Sequence, residues 1–115
     1  MQAHEFVSVI RRVVLDSAIE STKSTLANPP GRRPDPRLVE LSRWYLTLPV
    51  GDRENVDQVL SLAADHSVFG FLCVLDGVRA IDNGKDRGRL ELRHVGAEGA
   101  ILLNDPQGKF LHDLL

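Results

Sequence analysis

Apolar or small residues recur at 56, 60, 63, 67, 71, 74, 78 and 81, always in steps of three or four. That is the spacing of one helix face. The stretch Val68-Phe69-Gly70-Phe71-Leu72-Cys73-Val74-Leu75 is apolar nearly all round, which predicts burial on more than one side and places Phe71 in the core. Asp52 is a good N-cap for this helix, with Glu54 in its favourable first turn. The end is contested by Asp76-Gly77, a hairpin signal that would pair Phe69–Leu75 with Val78–Ile81. The helical phase runs unbroken across Gly77, and Asn83-Gly84 offers a left-handed stop. The pattern therefore predicts helix through about residue 82.

Two shorter helices are predicted before it. Over residues 4–27, Phe6, Val9 or Ile10, Val13, Ala18, Ile19, Thr22 and Leu26 keep helical spacing, and Val7 and Val14 widen the stripe. Asn28 before Pro29 ends this helix, because a residue preceding proline is pushed out of the helical region. The link NPPGRRPDP (28–36) holds four of the six prolines and reads as a stiff, semi-extended connection. Arg32 and Arg33 in it are a weak signal for an anionic partner. Asp35 and Pro36 then cap and open the second helix, whose apolar face is Leu38, Leu41, Trp44 or Tyr45, and Leu48. Pro49 and Gly51 close it.

The C-terminal third changes period. Arg89–Val95 alternates and Gly96–Gly99 is a turn, with a second strand over Ala100–Asn104. A hairpin centred there pairs Val95 with Ala100, Arg93 with Leu102 and Leu92 with Leu103. Leu90, Leu92, Ile101 and Leu103 then share one face, as a register with one buried side requires. Such a hairpin is marginal alone and needs the helices beneath it. Lys109–Leu115 is a short tail with an apolar face through Phe110, Leu111 and Leu114. The expected fold is α+β, one domain over residues 1–115: a three-helix core with a long third helix, a two-stranded antiparallel hairpin and an apolar tail.

With 43% hydrophobic and 26% charged residues, the 115-residue chain has the composition of a soluble globular protein able to bury a core. A net charge of −2 argues against a dedicated nucleic-acid binder. The charge is uneven: residues 1–51 hold seven basic and five acidic side chains, residues 52–115 seven and eleven. The one cysteine, Cys73, lies inside the apolar run and behaves there as a small hydrophobe, which suits a reducing compartment. Glu5, Arg11 and Arg12 interrupt any signal-like N-terminal stretch. No run of about 18 apolar residues marks a membrane span, and the cytoplasm is the expected location.

Chemistry is sparse. His4, His66, His94 and His112 are scattered, with neither an HExxH nor a Cys/His cluster. His112, Asp113, Asp105 and His94 would form a metal site only if the tail folded back on the hairpin. His94 otherwise reads as a half-buried strand residue and His112 as a surface one. Asp76 stands in the most apolar part of the chain and needs a partner if buried; Arg79, three residues on, would supply a helix ion pair. Asp82, Asp86 and Asp105 do not match the EF-hand offsets. Gly84-Lys85-Asp86-Arg87-Gly88 lacks phosphate-loop spacing and precedes a strand rather than a helix. No catalytic constellation, cofactor motif or metal set is found.

The block FGFLCVLDGVRAI, followed by LLNDP and LHDLL, resembles small bacterial proteins to which no activity is attached, and NPPGRRPDPRLVELS extends the resemblance over most of the chain. The resemblance implies a stand-alone bacterial cytoplasmic protein and assigns no residue a role. The expected function is protein–protein interaction without catalysis, as a homodimeric accessory or immunity-type binding protein. It needs no nucleic acid, membrane or cofactor. Trp44 and Tyr45 are its candidate interface residues. The alternative is a small enzyme or ligand-binding protein with a site between the third helix and the hairpin, built from Asp76, His94 and Asn104.

Overall fold

The computed structural model describes residues 1–85 and 87–115. It is α+β, with a C-terminal two-stranded antiparallel sheet, as the pattern predicts. Readings that involve Asp86, the EF-hand comparison and the Gly84–Gly88 loop, lie in part outside the described residues. The chain forms two compact units, Met1–Val14 with His66–Leu115, and Leu15–Asp65.

The first helical run comprises α1 (Ala3–Ile10), a π-helical segment (Arg11–Asp16) and α2 (Ser17–Ala27). The sequence pattern anticipates an uninterrupted α-helix here; the wider segment inside it has a visible consequence. Val7, Leu15 and Leu26 are buried, whereas Val14 is 46% exposed. Two α turns from Val7 would reach residue 14. A π turn, bonded i→i+5, takes up about one residue more, so Leu15 inherits the buried position.

In the second unit, α3 (Pro36–Thr47) packs on α2. The Asp35 carboxylate accepts the Arg37 N–H at 2.9 Å, and Pro36 occupies the first turn. The buried side of α3 carries Ser42 and Tyr45: of the alternatives Trp44 or Tyr45 it is Tyr45 that turns inward, while Leu41 of the expected face does not. Leu41 is 41% and Trp44 50% exposed. Tyr45 can be buried because its hydroxyl donates to Asp57 at 2.9 Å, which satisfies its polar tip.

The long helix α4 is Val50–Leu75, and its end corrects the sequence reading. It stops at Leu75 rather than near residue 82, and no hairpin forms at Asp76-Gly77. Gly77 takes φ +76°. Its N–H reaches the Val74 carbonyl at 3.1 Å, and the Val78 N–H reaches the Cys73 carbonyl at 3.1 Å. These two bonds are a Schellman stop with glycine at the left-handed position. The apolar residues beyond it, Val78 and Ile81, continue the helical phase in sequence but are exposed.

Phe71 is likewise not core: it is 63% exposed. An all-round apolar helix cannot be covered on every side by so few elements. Only the stripe Val68, Leu72 and Leu75 faces the cluster built on Val7, Leu72 and Leu111. That cluster also takes Phe6, Leu92, Leu114 and Leu115.

The hairpin forms in the expected register. In β1 (Arg93–Gly96) and β2 (Gly99–Leu102), Arg93 faces Leu102 and Val95 faces Ala100. The Leu103 N–H continues the ladder to the Leu92 carbonyl at 2.8 Å. The apolar tail is a single helical turn, α5 (Leu111–Leu114), packed on α1. Arg11 donates a hydrogen bond to the Leu115 carbonyl.

The stop at Gly77 has a direct test. A Cβ at Gly77 would meet no atom within 4 Å, so only its backbone conformation opposes substitution. Gly77→Ala should destabilise by about 1–2 kcal/mol, the left-handed penalty for an L-residue. Urea unfolding measures it; an unchanged or raised midpoint would return this glycine to an ordinary helical conformation.

Candidate functional site

Asp76 ends α4 with a carboxylate whose side chain is 1% exposed. Its Oδ1 accepts the Leu111 N–H at 2.9 Å and its Oδ2 accepts the His112 N–H at 2.9 Å. His112 Nδ1 lies 2.7 Å from Oδ2. Asp76 therefore caps α5 from a distance of 35 residues in sequence, a task that Phe110, at the N-cap position, has no side-chain group to perform. It does not form the expected helix ion pair with Arg79.

Asn104, 9% exposed, is the second tie. Its Oδ1 accepts the Leu92 N–H at 2.8 Å; its Nδ2 donates to the carbonyls of Leu75 and Leu90 at 2.6 and 2.8 Å. Both amide hydrogens are thus used. The structure brings Asp76 and Asn104 to the same helix end, where backbone groups occupy both side chains. His94 faces Ile101 in the hairpin and belongs to neither set of hydrogen bonds.

His112 is more enclosed than its place near the chain end suggests, its side chain 14% exposed. Its ring stacks on Phe110 and meets Phe69 edge-on, each at 5.4 Å between centroids. Its Nε2 lies 3.4 Å from Asp113. Sequence reasoning identified the need of Asp76 for a partner but not His112, because a pair this far apart leaves no periodic trace. Among the described residues no three His, Cys, Asp or Glu side chains assemble as metal ligands.

The candidate interface pair separates. Tyr45 is buried and bonded to Asp57, which together with burial holds its hydroxyl above the usual phenol range. Trp44 remains at the surface, beside Glu40, Arg43 and Thr47 in a shallow hollow.

An apolar groove lies elsewhere. Phe6, Ile10 and Val14 form one wall of a groove of about 290 Å³; Val68, Phe71 and Leu75 of α4 form the other. Leu72, 1% exposed, closes the floor, while the rims at Val14 and Phe71 are 46% and 63% exposed. The all-round apolar run carries the signal for it, but periodicity alone assigns that run to the core. The π-helical segment, which leaves Val14 outward, gives no sequence signature. Although no unbroken run of about 18 apolar residues occurs, α4 contains an 18-residue window of mean hydropathy 1.5, of which 17% is buried. No family model, curated protein or solved structure matches this chain.

Two outcomes follow from these contacts. Asp76→Ala should cost about 3 kcal/mol, because it leaves partly buried N–H donors unpaired. Amide hydrogen exchange at Leu111 and His112 should accelerate with it, and unchanged exchange there would show that the cap is dispensable. Tyr45 is the only tyrosine, so its phenolate absorbance reports one group. A raised folded-state pKa means that the Asp57 contact contributes fully below the unfolded phenol value and is lost as pH rises through the folded one. The midpoint should therefore lie above that of free tyrosine and fall towards it in Asp57→Ala; identical midpoints in the two proteins would dissociate the shift from Asp57.

Proposed function

We propose that this protein acts by protein–protein contact, without catalysis, and that its first partner is a second copy of itself. The observation that carries the reading is the groove between the N-terminal helical run and α4, apolar throughout apart from Ser67 and open along Val14 and Phe71. Water against such a surface is unfavourable, at about 25 cal/mol per Å² of apolar area. Contiguous apolar patches on soluble proteins mark interaction sites. A second copy fits for two reasons. A two-fold contact lets Phe71 of each chain enter the groove of the other, since such an interface is self-complementary. The basic surplus of residues 1–51 and the acidic surplus of residues 52–115 also favour an antiparallel arrangement. An accessory or immunity-type role, in a bacterial cytoplasm, is the biological form of this reading.

A second reading rests on the apolar window of α4, which is long enough to enter a bilayer. Asp65 and His66 inside the helix weigh against it, because a charge at bilayer depth is costly.

Sedimentation equilibrium at micromolar concentration tests the proposal. The native chain should sediment at twice the monomer mass, and Phe71→Asp should shift it to monomer while leaving helix content unchanged. A monomer at every concentration would overturn self-association. Recovery of the protein only with detergent or lipid would favour the bilayer.

A further inference from the structure

We infer a second site, independent of the groove: a cavity of about 360 Å³ rimmed by arginines, which takes a phosphate monoester carrying an apolar tail. Arg79, Arg87 and Arg89 line it, together with Val74, Ile81 and Leu90. Three exposed arginines beside an apolar lining supply the two halves of an amphiphilic anion site.

The three arginines are not equivalent. Arg89 is paired with Glu91 at 2.5 Å, and Glu91 also takes Arg93 at 2.8 Å. Those two guanidinium groups hold the Glu91 carboxyl below its usual range. Arg79 and Arg87 have no side-chain acceptor among the described residues. The one carboxylate on the described rim is Asp82, whose Oδ1 accepts the Gly84 N–H at 2.9 Å. Among the described residues, then, two guanidinium forks have no carboxylate partner. A phosphate monoester offers three acceptor oxygens and a charge of about −1.5 to −2 at neutral pH, enough to engage both forks. A carboxylate has only two oxygens and satisfies one fork bidentately.

Arg79 is also positioned rather than free. Its backbone N–H joins the Schellman stop, 3.2 Å from the Cys73 carbonyl. Its guanidinium lies over Gly70 of α4, so close that a Cβ there would stand 2.5 Å from Nη1. The glycine thus leaves a notch that seats the arginine at the rim. Gly70 is buried although its neighbours Phe69 and Phe71 are exposed.

This arrangement yields a charge-neutral test. Gly70→Ala removes no charge and suits a helix better than glycine, yet it displaces the flexible end of Arg79. Octyl phosphate, inorganic phosphate and octanoate are titrated separately into the native chain, with the arginine side-chain N–H signals followed by NMR. Octyl phosphate should saturate with a Kd at least tenfold below those of the other two, because only it supplies both head and tail. The double variant Arg79→Gln, Arg87→Gln should weaken it tenfold or more, and Gly70→Ala severalfold with folding intact. Equal affinities for the three probes, an unchanged Kd in the double variant, or shifts that never saturate would each overturn the site. Because neither arginine lines the apolar groove, the oligomeric state should be the same in every variant, and the two proposals fail separately.

Discussion

The carboxylate of Asp76 is the contact on which the rest of the first unit depends. Its side chain is almost wholly removed from water, a position that costs several kcal/mol for an unpaired charge. The cost is offset because the Leu111 N–H, the His112 N–H and the His112 ring all converge on it. The convergence is possible only because α4 stops one residue earlier. Continued as helix, residue 76 would direct its side chain along the helix surface towards Arg79. The left-handed glycine at 77 turns the chain away and leaves the carboxylate to receive α5. The tail, too short to hold a helical turn by itself, is thereby fixed with Leu111 fully buried against Val7 and Leu72.

Asn104 performs the matching task for the hairpin. A two-stranded sheet of four-residue strands does not stand alone in water. By bonding to Leu75, Leu90 and Leu92 together, one buried amide ties the end of α4 to both the approach to the hairpin and its exit. Two polar side chains therefore do for this unit what a larger apolar core would do elsewhere, and each is held by backbone groups, Asp76 by the His112 ring as well.

The elements were legible where a single period dominates. The hairpin register followed from alternation on both strands, and the start of α3 from Asp35 and Pro36. The end of α4 was not legible, because apolar residues at 78 and 81 imitate a helical phase while one positive φ decides the matter. The burial of Leu15 in place of Val14 was hidden for a similar reason, since a π turn changes the period without changing composition. Phe71 shows the reverse limit. Periodicity identifies which residues share a face, but the supply of covering elements determines which face is covered. Of the site, the unusual position of Asp76 was visible; its partner His112 was not, because the pairing is made by tertiary structure alone.

The all-round apolar character of α4 then has a geometric account. Successive residues on a helix point about 100° apart. Leu72 faces the buried cluster, Phe71 lines the groove, and Gly70 receives Arg79. Three neighbouring positions thus address three different surroundings, and the same division repeats one turn on, where Leu75 lines the groove and Val74 the arginine cavity. A run that looks redundantly hydrophobic for a single core is one in which each face has a separate task. The glycine is as specific as the leucine and phenylalanine beside it, because only an absent side chain leaves room for a guanidinium against the helix. The groove and the arginine cavity share no lining residue. The two proposed contacts therefore draw on different side chains.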